Sequence, residues 1–242
     1  MNKRFPVPEV RPGTVRLDAG QSRHARDVLR LTRGTTVDVF DPTGATGTGP
    51  IIAVEPGGVT VEVTAVQHPA AYPHGRLTVA SAVPKGSRAD WMVEKLSELG
   101  VDEFRPLVAA RSVVVPDGRN KLARWLRIAE ESAKQSRRSN VMRVTELADV
   151  NTALAAHAAL TKWCLTTRGD AEPLSGVLPD TPGGDMLAMV GPEGGWTDAE
   201  LAACRAAGCR PVTLTRTVLR VETAAVAVAA VVMCGGRRSA TG

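Results

Sequence analysis

The sequence predicts an α/β domain with a mostly parallel sheet, preceded by a small β-rich domain. Residues 1–72 contain short segments in which apolar and polar residues alternate between turns rich in Gly and Pro, a pattern typical of half-buried strands. After residue 73, apolar runs of strand length alternate with segments of helical period, which favours a parallel sheet covered by helices. Residues 68–75 are typical of a linker, so we expect domains at 1–72 and 73–242.

In the first domain the alternation of apolar and polar residues predicts three strands. One segment instead has apolar residues on one helical face and arginines on another, which predicts a helix. The expected strands are 36–40, 49–54 and 59–63, and the expected helix is 22–31.

In the second domain the helix signals are sharper than in the first. Ser87 with Asp90 three residues later is a helix-start pattern, and Gly100 is a typical stop. Thr197 and Glu200 have the spacing of a capping box. The expected strands are 77–83, 101–104, 107–115, 159–166, 186–190 and 211–215, and the expected helices are 87–99, 119–137, 198–207 and 222–234.

The positive charge is concentrated in two parts of the chain. The net charge of the protein is +5. Residues 1–33 have eight basic and three acidic side chains, whereas residues 34–72 have four acidic side chains and no Lys or Arg. Residues 73–150 have fourteen basic and ten acidic side chains, and the remainder is balanced. This distribution suits a polyanionic partner, although the surface of an Arg-rich protein without such a partner has the same pattern.

The number and spacing of the cysteine, histidine and aromatic residues argue against several classes of function. The 4 Cys and 4 His residues have neither Cys-x-x-Cys nor His-x-x-x-His spacing, so we expect neither a metal site nor a disulfide framework. With 3% aromatic residues, a stacking platform for single-stranded RNA is not expected. The N-terminus resembles no signal peptide, and no apolar run is long enough to span a bilayer. We therefore expect a reduced, soluble, cytoplasmic protein without a membrane partner.

The sharpest local motif is a strand followed by the loop Gly191-Pro192-Glu193-Gly194-Gly195. Ligands of open α/β sheets bind at the carboxyl ends of strands, where glycines allow backbone amides to approach. The loop lacks the spacing of a P-loop or a dinucleotide fingerprint. It carries Glu193 where a phosphate site requires a cation, which favours a phosphate-free ligand with positive charge. A tight structural turn with a solvent-facing glutamate also fits this pattern.

Two further segments have less specific patterns. Residues 214–225 place two arginines and Glu222 between a strand and an Ala/Val-rich helix; an acid at that position complements the helix dipole. The helix that follows has no polar face, so we expect it to be buried. The segment 119–138 is strongly basic on one side, which suits phosphate contacts and equally suits a solvated helix face.

Together these motifs resemble the RsmE family of ribosomal RNA uridine-N3 methyltransferases. The resemblance rests on Gly191–Gly195 after a strand and on Leu219-Arg220-Val221-Glu222-Thr223-Ala224 at the start of the last helix. Lys85-Gly86, the segment 94–101 and the segment 124–136 match the family in the same order. With the β-rich 1–72 included, the resemblance covers nearly the whole chain.

The resemblance implies a SPOUT-type α/β domain with a C-terminal trefoil knot, preceded by a small PUA-like barrel domain that binds RNA. It further implies a homodimer, S-adenosylmethionine as methyl donor, and methylation of N3 of a uridine in the 16S RNA of the small ribosomal subunit. No metal is required. The implied cofactor residues are Leu165, Thr166, Thr167, Gly191, Pro192, Glu193, Gly194, Gly195, Leu214, Leu219, Arg220 and Thr223. The expected RNA contacts are Arg4, Arg11, Arg23, Arg26, Arg30, Lys85, Arg88, Lys134, Arg137 and Arg138.

The candidate catalytic residues are Arg220, Glu222 and Glu193. N3 of uridine is a poor nucleophile until it loses its proton, so the reaction requires a base or a group that stabilises negative charge. Arg220 is a candidate for stabilising the uridine anion; Glu222 or Glu193 is a candidate for accepting the proton or orienting Arg220. The chain departs from the family pattern at Thr215, where a glycine is usual, and at Val221.

Other classes of function remain open at the level of sequence. An RNA-binding assembly factor without catalysis has the same charge distribution, and a methylase acting on another RNA has the same Gly-rich loop. An enzyme that uses a nicotinamide or nucleotide cofactor requires a phosphate-binding loop, which the sequence lacks.

Overall fold

The computed structural model describes residues 2–68, 75–116, 119–136, 138, 140–178 and 184–235. The chain divides into two compact units. The first consists of Met1–Ala70 with Ala133–Val141, and the second consists of Ala71–Ser132 with Met142–Gly242. The boundary expected at 72/73 assigns 133–141 to the second domain, whereas the structure groups these residues with the first unit.

The first unit is mostly β-structure with one short helix. The helix α1 begins earlier than expected because the Asp18 side chain accepts a hydrogen bond from the Gln21 amide at 2.7 Å and so caps its start. A π-helical turn, His24–Val28, follows it. The elements are β1 (Lys3–Pro6), β2 (Gly13–Arg16), α1 (Ala19–Arg23), β3 (Thr36–Phe40), β4 (Thr46–Glu55), β5 (Gly58–Val63) and β6 (Ala65–Gln67).

Strand pairing in this unit follows the order β1-β3-β4-β5-β2, with β6 on β4. Within the described residues β1 and β2 stand at the two ends of this path, so the closed barrel implied by the family resemblance is not seen. The long β4 pairs with β3 over its first half and with β5 over its second, and its register shifts between Ile51 and Ala53. At Gly49 a Cβ would lie 1.7 Å from the Glu62 carbonyl oxygen, so only glycine fits this close approach.

The second unit alternates strands and helices, as the sequence predicts. The four expected helices begin and end within one residue of their expected bounds, and the capping box of Thr197 and Glu200 is confirmed. The elements are β7 (Leu77–Ala82), α2 (Ser87–Leu99), β8 (Glu103–Val108), α3 (Arg119–Ser136), β9 (Arg143–Val144), β10 (Ala148–Asp149), α4 (Val150–Ala156), β11 (Thr161–Leu165), β12 (Glu172–Pro173), α5 (Leu174–Val177), β13 (Met186–Val190), α6 (Asp198–Ala206), β14 (Arg210–Thr213) and α7 (Val221–Gly235). The helices α4 and α5 were not expected, and the strands expected over 101–104 and 107–115 are one strand, Glu103–Val108.

The sheet of this unit has the order β10-β8-β7-β13-β11-β14-β12, with β9 on β8. Every pairing in it is parallel, which confirms the predicted parallel sheet. Parallel strands that share a sheet end at the same edge. The loops after β7, β13, β11 and β14 therefore emerge side by side.

Helices α2 and α7 pack against each other beside this sheet. α2 ends at Gly100, whose φ of 99° is the left-handed conformation that glycine adopts at helix ends. In α7, Ala225, Val228 and Val232 are buried, as the absence of a polar face predicts. None of the helices in the described part of the chain is long and apolar enough to cross a membrane.

A buried charge network lies where β8 begins. The Glu103 carboxylate is within 3.1 Å of His157 Nε2, 3.2 Å of Arg105 Nη2 and 2.8 Å of Arg143 Nη2. His157 Nδ1 lies 2.8 Å from the Ala153 carbonyl oxygen. Only the imidazolium donates from both ring nitrogens, so the hydrogen bond to Glu103 raises the pKa of His157. Burial raises the pKa of Glu103, but the bond from His157 and the two arginine charges outweigh it and lower that pKa overall.

This network predicts a pH dependence of stability. Because the pKa of His157 is raised in the folded chain, its contribution is complete below about pH 6.5 and is lost as the pH rises through the raised value. We expect the free energy of unfolding in urea to fall over that window, and to fall less in His157→Gln. The same slope in both proteins would show that His157 is not the titrating group.

Candidate functional site

A cavity lies where β11, β13 and β14 end. Its volume is about 360 Å³, within the range of small-molecule sites. β11 lies between the other two strands, so the three following loops surround the cavity. Residues Leu165–Thr167, Gly191–Gly195, Leu214 and Leu219, all predicted from the sequence, line it together.

Two of the predicted cofactor residues lie outside that lining. Arg220 and Thr223 are exposed and are not among the residues that border the cavity. Their neighbours Leu219, Val221 and Ala224 do border it. Leu219 and the first turn of α7 thus present apolar side chains to the cavity, and the exposed Arg220 follows Leu219 in the chain.

The Gly-rich loop is held in one shape by its own backbone and by Trp196. The Gly195 amide donates to the Pro192 carbonyl at 2.8 Å, and Gly195 has a φ of 70°, which favours glycine. Trp196 Nε1 donates to the Leu165 carbonyl at 2.9 Å, tying this loop to the end of β11. At Gly191 a Cβ would lie 2.8 Å from the indole of Trp196.

Helix α6 connects the Gly-rich loop to a further part of the chain. Glu200 Oε2 accepts from the Thr197 amide at 2.8 Å, and Oε1 accepts from the Ala110 amide at 2.8 Å. Ala110 lies in the segment after β8, so one carboxylate holds two loops. Burial raises the pKa of Glu200, but these backbone hydrogen bonds outweigh it and lower the pKa overall.

The loop after β14 is closed by threonine hydroxyls. Thr215 Oγ1 donates to the Thr217 carbonyl at 2.8 Å, and the Thr217 amide lies 3.2 Å from the same hydroxyl. Thr213 Oγ1 donates to the Thr215 carbonyl at 3.1 Å. Thr215 stands where the family pattern has glycine; its hydroxyl is used by the turn itself. Next to this turn the side chain of Val218 is 83% exposed.

Three charged residues line the cavity, and two of them have fixed partners. Arg111 Nη1 donates to the Gly194 carbonyl at 3.0 Å, and Arg168 Nη1 lies 2.5 Å from Asp198 Oδ1. Glu193 is exposed, and within the described ranges its side chain has no hydrogen bond or ion pair. Glu193 is therefore the acidic side chain among the described residues that border the cavity, and its carboxylate is accessible to a ligand.

Glu222 occupies a different environment from the one expected. Its carboxylate is buried and lies 3.2 Å from Arg88 Nη1, at the start of α2. Arg220, which the sequence suggests as its partner, precedes Glu222 by two residues and is exposed. The sequence does not reveal this pair because its two residues are 134 positions apart.

The arginines predicted to bind RNA in the first unit lie on or near its surface. The Arg4 guanidinium is 4.8 Å from the centroid of the Phe40 ring. Arg26 Nε lies 2.6 Å from Asp27 Oδ1. The other three, all exposed, are Arg11, Arg23 and Arg30.

The remaining predicted RNA contacts differ in accessibility. Lys85 is exposed. Lys134 Nζ donates to Gln21 Oε1 at 3.0 Å, and Arg138 is buried. A basic run in sequence thus includes side chains that pack within the first unit. Arg137 lies outside the described residues.

Arg111, Arg168 and Trp196 also border the cavity and were not predicted from the sequence. Trp196 directly follows the Gly-rich loop, and Arg168 follows the end of β11 by three residues. Their positions next to predicted cavity segments could therefore have indicated both residues. The position of Arg111 in the sequence gives no such indication, because this residue borders the cavity from the segment after β8. Within the described residues, no group of three or more His, Cys, Asp or Glu side chains is arranged to hold a metal ion.

Comparison with known proteins gives matches across both units. Residues 71–233 match the RNA methyltransferase domain family. The chain is 33% identical to the ribosomal RNA small subunit methyltransferase E of Synechocystis sp., over 87% of this chain and 70% of that protein. It is 31% identical to the protein of the same name from Mycobacterium bovis, over 86% and 82%. The chain belongs to the ribosomal RNA small subunit methyltransferase E family.

One of the similar solved structures contains a bound ligand. The ribosomal RNA small subunit methyltransferase E of Neisseria gonorrhoeae, bound to S-adenosyl methionine, has a TM-score of 0.84 with this chain at 30% identity. The match covers 97% of this chain and 98% of that one. All the residues that border the cavity lie within the segment 71–233 that matches the methyltransferase domain family.

The contact between Gly191 and Trp196 predicts the effect of one methyl group. We expect Gly191→Ala to lower the free energy of unfolding by about 1–3 kcal/mol, because the hydrogen-bonded indole resists displacement. Urea unfolding measures this effect. Gly169→Ala is the matched control, since a Cβ there meets nothing within 4 Å. Equal stability of the two variants would contradict the packing described here.

Proposed function

We propose that this chain transfers a methyl group from S-adenosylmethionine to N3 of a uridine in the 16S RNA of the small ribosomal subunit. The observation that carries this proposal is the cavity at three adjacent strand ends, with glycine backbone on one side and the available carboxylate of Glu193 on its rim. The family membership and the cofactor bound to the Neisseria gonorrhoeae protein support it.

The residues present fit S-adenosylmethionine. This cofactor has no phosphate and carries a positively charged sulfonium, so it requires no P-loop and is attracted by a carboxylate such as Glu193. Leu165, Leu214 and Leu219 supply apolar walls for an adenine ring. The loop Gly191–Gly195 contributes backbone along one side of the cavity, where amide and carbonyl groups can pair with the polar edges of the ligand.

In the proposed mechanism two side chains of the protein act on the uracil ring, one by stabilising negative charge and one by accepting a proton. When bound, S-adenosylmethionine supplies an electrophilic methyl group. The exposed Arg220 guanidinium, next to Leu219 of the cavity lining, stabilises the negative charge that develops on the uracil ring as N3 loses its proton. Glu193 accepts the proton that N3 loses while the bond between N3 and the methyl carbon forms. Positioning of N3 in line with the breaking carbon–sulfur bond supplies the remainder of the rate enhancement.

The first unit is proposed to bind the ribosomal RNA. Its residues 1–33 carry eight of the basic side chains of the chain and three acidic ones. Several of these arginines are exposed, as contacts to phosphate groups require. We assign this unit to the PUA-like class on the basis of the family resemblance, with an open strand path in place of a closed barrel.

Three finer features follow from the same resemblance. We propose a homodimer, for which the exposed Val218 beside the cavity and the partly exposed Val231 on α7 offer apolar contacts. We propose that the C-terminal segment of the second unit is knotted in the SPOUT manner. An enzyme that modifies ribosomal RNA acts where ribosomal subunits are assembled, so we propose the cytoplasm as its location.

The proposal is tested with the unmodified protein. We expect isothermal calorimetry to detect S-adenosylmethionine binding, and nucleoside mass spectrometry to detect N3-methyluridine in small subunits after incubation with protein and cofactor. Small subunits from a strain that lacks this chain are the substrate. N3-methyluridine at the full level in that strain before incubation would overturn the assignment, as would the absence of cofactor binding.

Arg220→Ala tests the proposed catalytic role. Loss of the guanidinium removes stabilisation of the uracil anion, so we expect the rate of methyl transfer at saturating substrate to fall by at least about 100-fold. Because Arg220 lies outside the cavity lining, the affinity for S-adenosylmethionine should change by no more than a few-fold. Arg216→Ala, in the same loop, is the control. A fully active Arg220→Ala would exclude the role.

A further inference from the structure

The pair formed by Arg88 and Glu222 is not explained by the cofactor cavity. Neither residue borders the cavity. Glu222 Oε1 lies 3.2 Å from Arg88 Nη1, and the Glu222 side chain is 7% exposed. Its second oxygen, Oε2, is buried and has no hydrogen-bond partner within the described part of the chain. An unsatisfied buried carboxylate oxygen is costly, and such costs are retained most often where function requires them.

The pair lies close to the cavity because of the sheet order. Arg88 is in the first turn of α2, which follows β7, and Glu222 is in the first turn of α7, which follows β14. β7 is separated from β11 by β13 alone, so the two strand ends are about 10 Å apart. A nucleotide adjacent to a uridine at the cavity therefore reaches the start of α2. Lys85, exposed, adds a second positive charge there.

The two side chains differ in what they can contact. The Arg88 side chain is 39% exposed and has five N–H donors, of which the structure directs one to Glu222. The rest are available to an anion at the surface. The Glu222 side chain, by contrast, is 7% exposed, and Arg88 is its ion-pair partner among the described residues. Its geometry suits orientation of the guanidinium better than proton transfer with a substrate.

We infer that Glu222 is a positioning residue that holds Arg88 in place to bind an RNA phosphate next to the target uridine. This inference rests on the proposed function and deepens it, because it assigns Glu222 to substrate placement and leaves the proton to Glu193. A guanidinium fixed by a buried carboxylate binds phosphate with less loss of side-chain entropy than a free one.

The test measures binding of small ribosomal subunits and single-turnover methyl transfer for wild type, Arg88→Gln, Glu222→Gln and the double variant. We expect each single variant to weaken subunit binding by about tenfold, and the double variant to be no weaker than Arg88→Gln. The rate at saturating subunit and the affinity for S-adenosylmethionine should stay within a few-fold. The slope of log binding constant against log salt concentration measures the number of phosphate contacts. Arg88→Gln should make this slope shallower by about one, whereas Glu222→Gln should leave it unchanged.

Arg210→Gln is the matched control. Arg210 is 44% exposed and pairs with Glu172 at 3.2 Å, but it begins β14 and so lies at the edge of the sheet away from the cavity. We expect it to bind subunits as wild type does. Should Glu222→Gln fail to fold, the salt dependence of Arg88→Gln and Arg88→Lys still tests the phosphate contact, which the lysine variant should retain.

Two results would overturn the inference. Loss of methyl transfer at saturating subunit in Glu222→Gln would make Glu222 a catalytic residue, and additive effects in the double variant would show that the two side chains act separately. If the wild type binds subunits but does not methylate them, the proposed function fails, and the comparison of binding still decides whether Arg88 and Glu222 act as a pair.

Discussion

Parallel pairing of β11 with β13 and with β14 is the interaction on which the site depends. The segments that border the cavity begin near residues 165, 190 and 212 and are distant from one another in the chain. Parallel hydrogen bonding makes all three strands end at one edge, with about 5 Å between neighbours. The loops that follow the three strands therefore border one common space. The direction of the strands creates the cavity, and the side chains determine its chemistry.

The loops at that edge divide their tasks by residue type. The Gly-rich loop lines the cavity with backbone atoms. Its shape is fixed by the hydrogen bond from Gly195 to Pro192 and by Trp196. The loop after β14 uses threonine hydroxyls to close its own turn. Arg111 is held by the Gly194 carbonyl and Arg168 by Asp198, whereas the carboxylate of Glu193 is exposed. An accessible carboxylate beside a rigid backbone attracts the cationic sulfonium of the proposed cofactor.

Local signals in the sequence predicted the elements that local interactions decide. The strand Met186–Val190 and the capping box of Thr197 and Glu200 were confirmed at their expected residues, because side-chain periodicity and capping act over a few positions. The helix expected over 22–31 begins earlier and ends in a π-helical turn. There the competing interactions, such as the Ser22 hydroxyl with the Val59 amide at 3.0 Å, come from another strand.

The sequence by itself determined the α/β class, the β-rich start, the Gly-rich loop and the chemical type of ligand that the loop favours. Each of these depends on residue type and spacing within one segment. Only the tertiary structure decided that Glu222 faces Arg88 and not Arg220, that Arg111 reaches the cavity, and that residues 133–141 belong with the first unit. These arrangements depend on which distant segments pack together, and that free energy is spread over many contacts that no short pattern encodes.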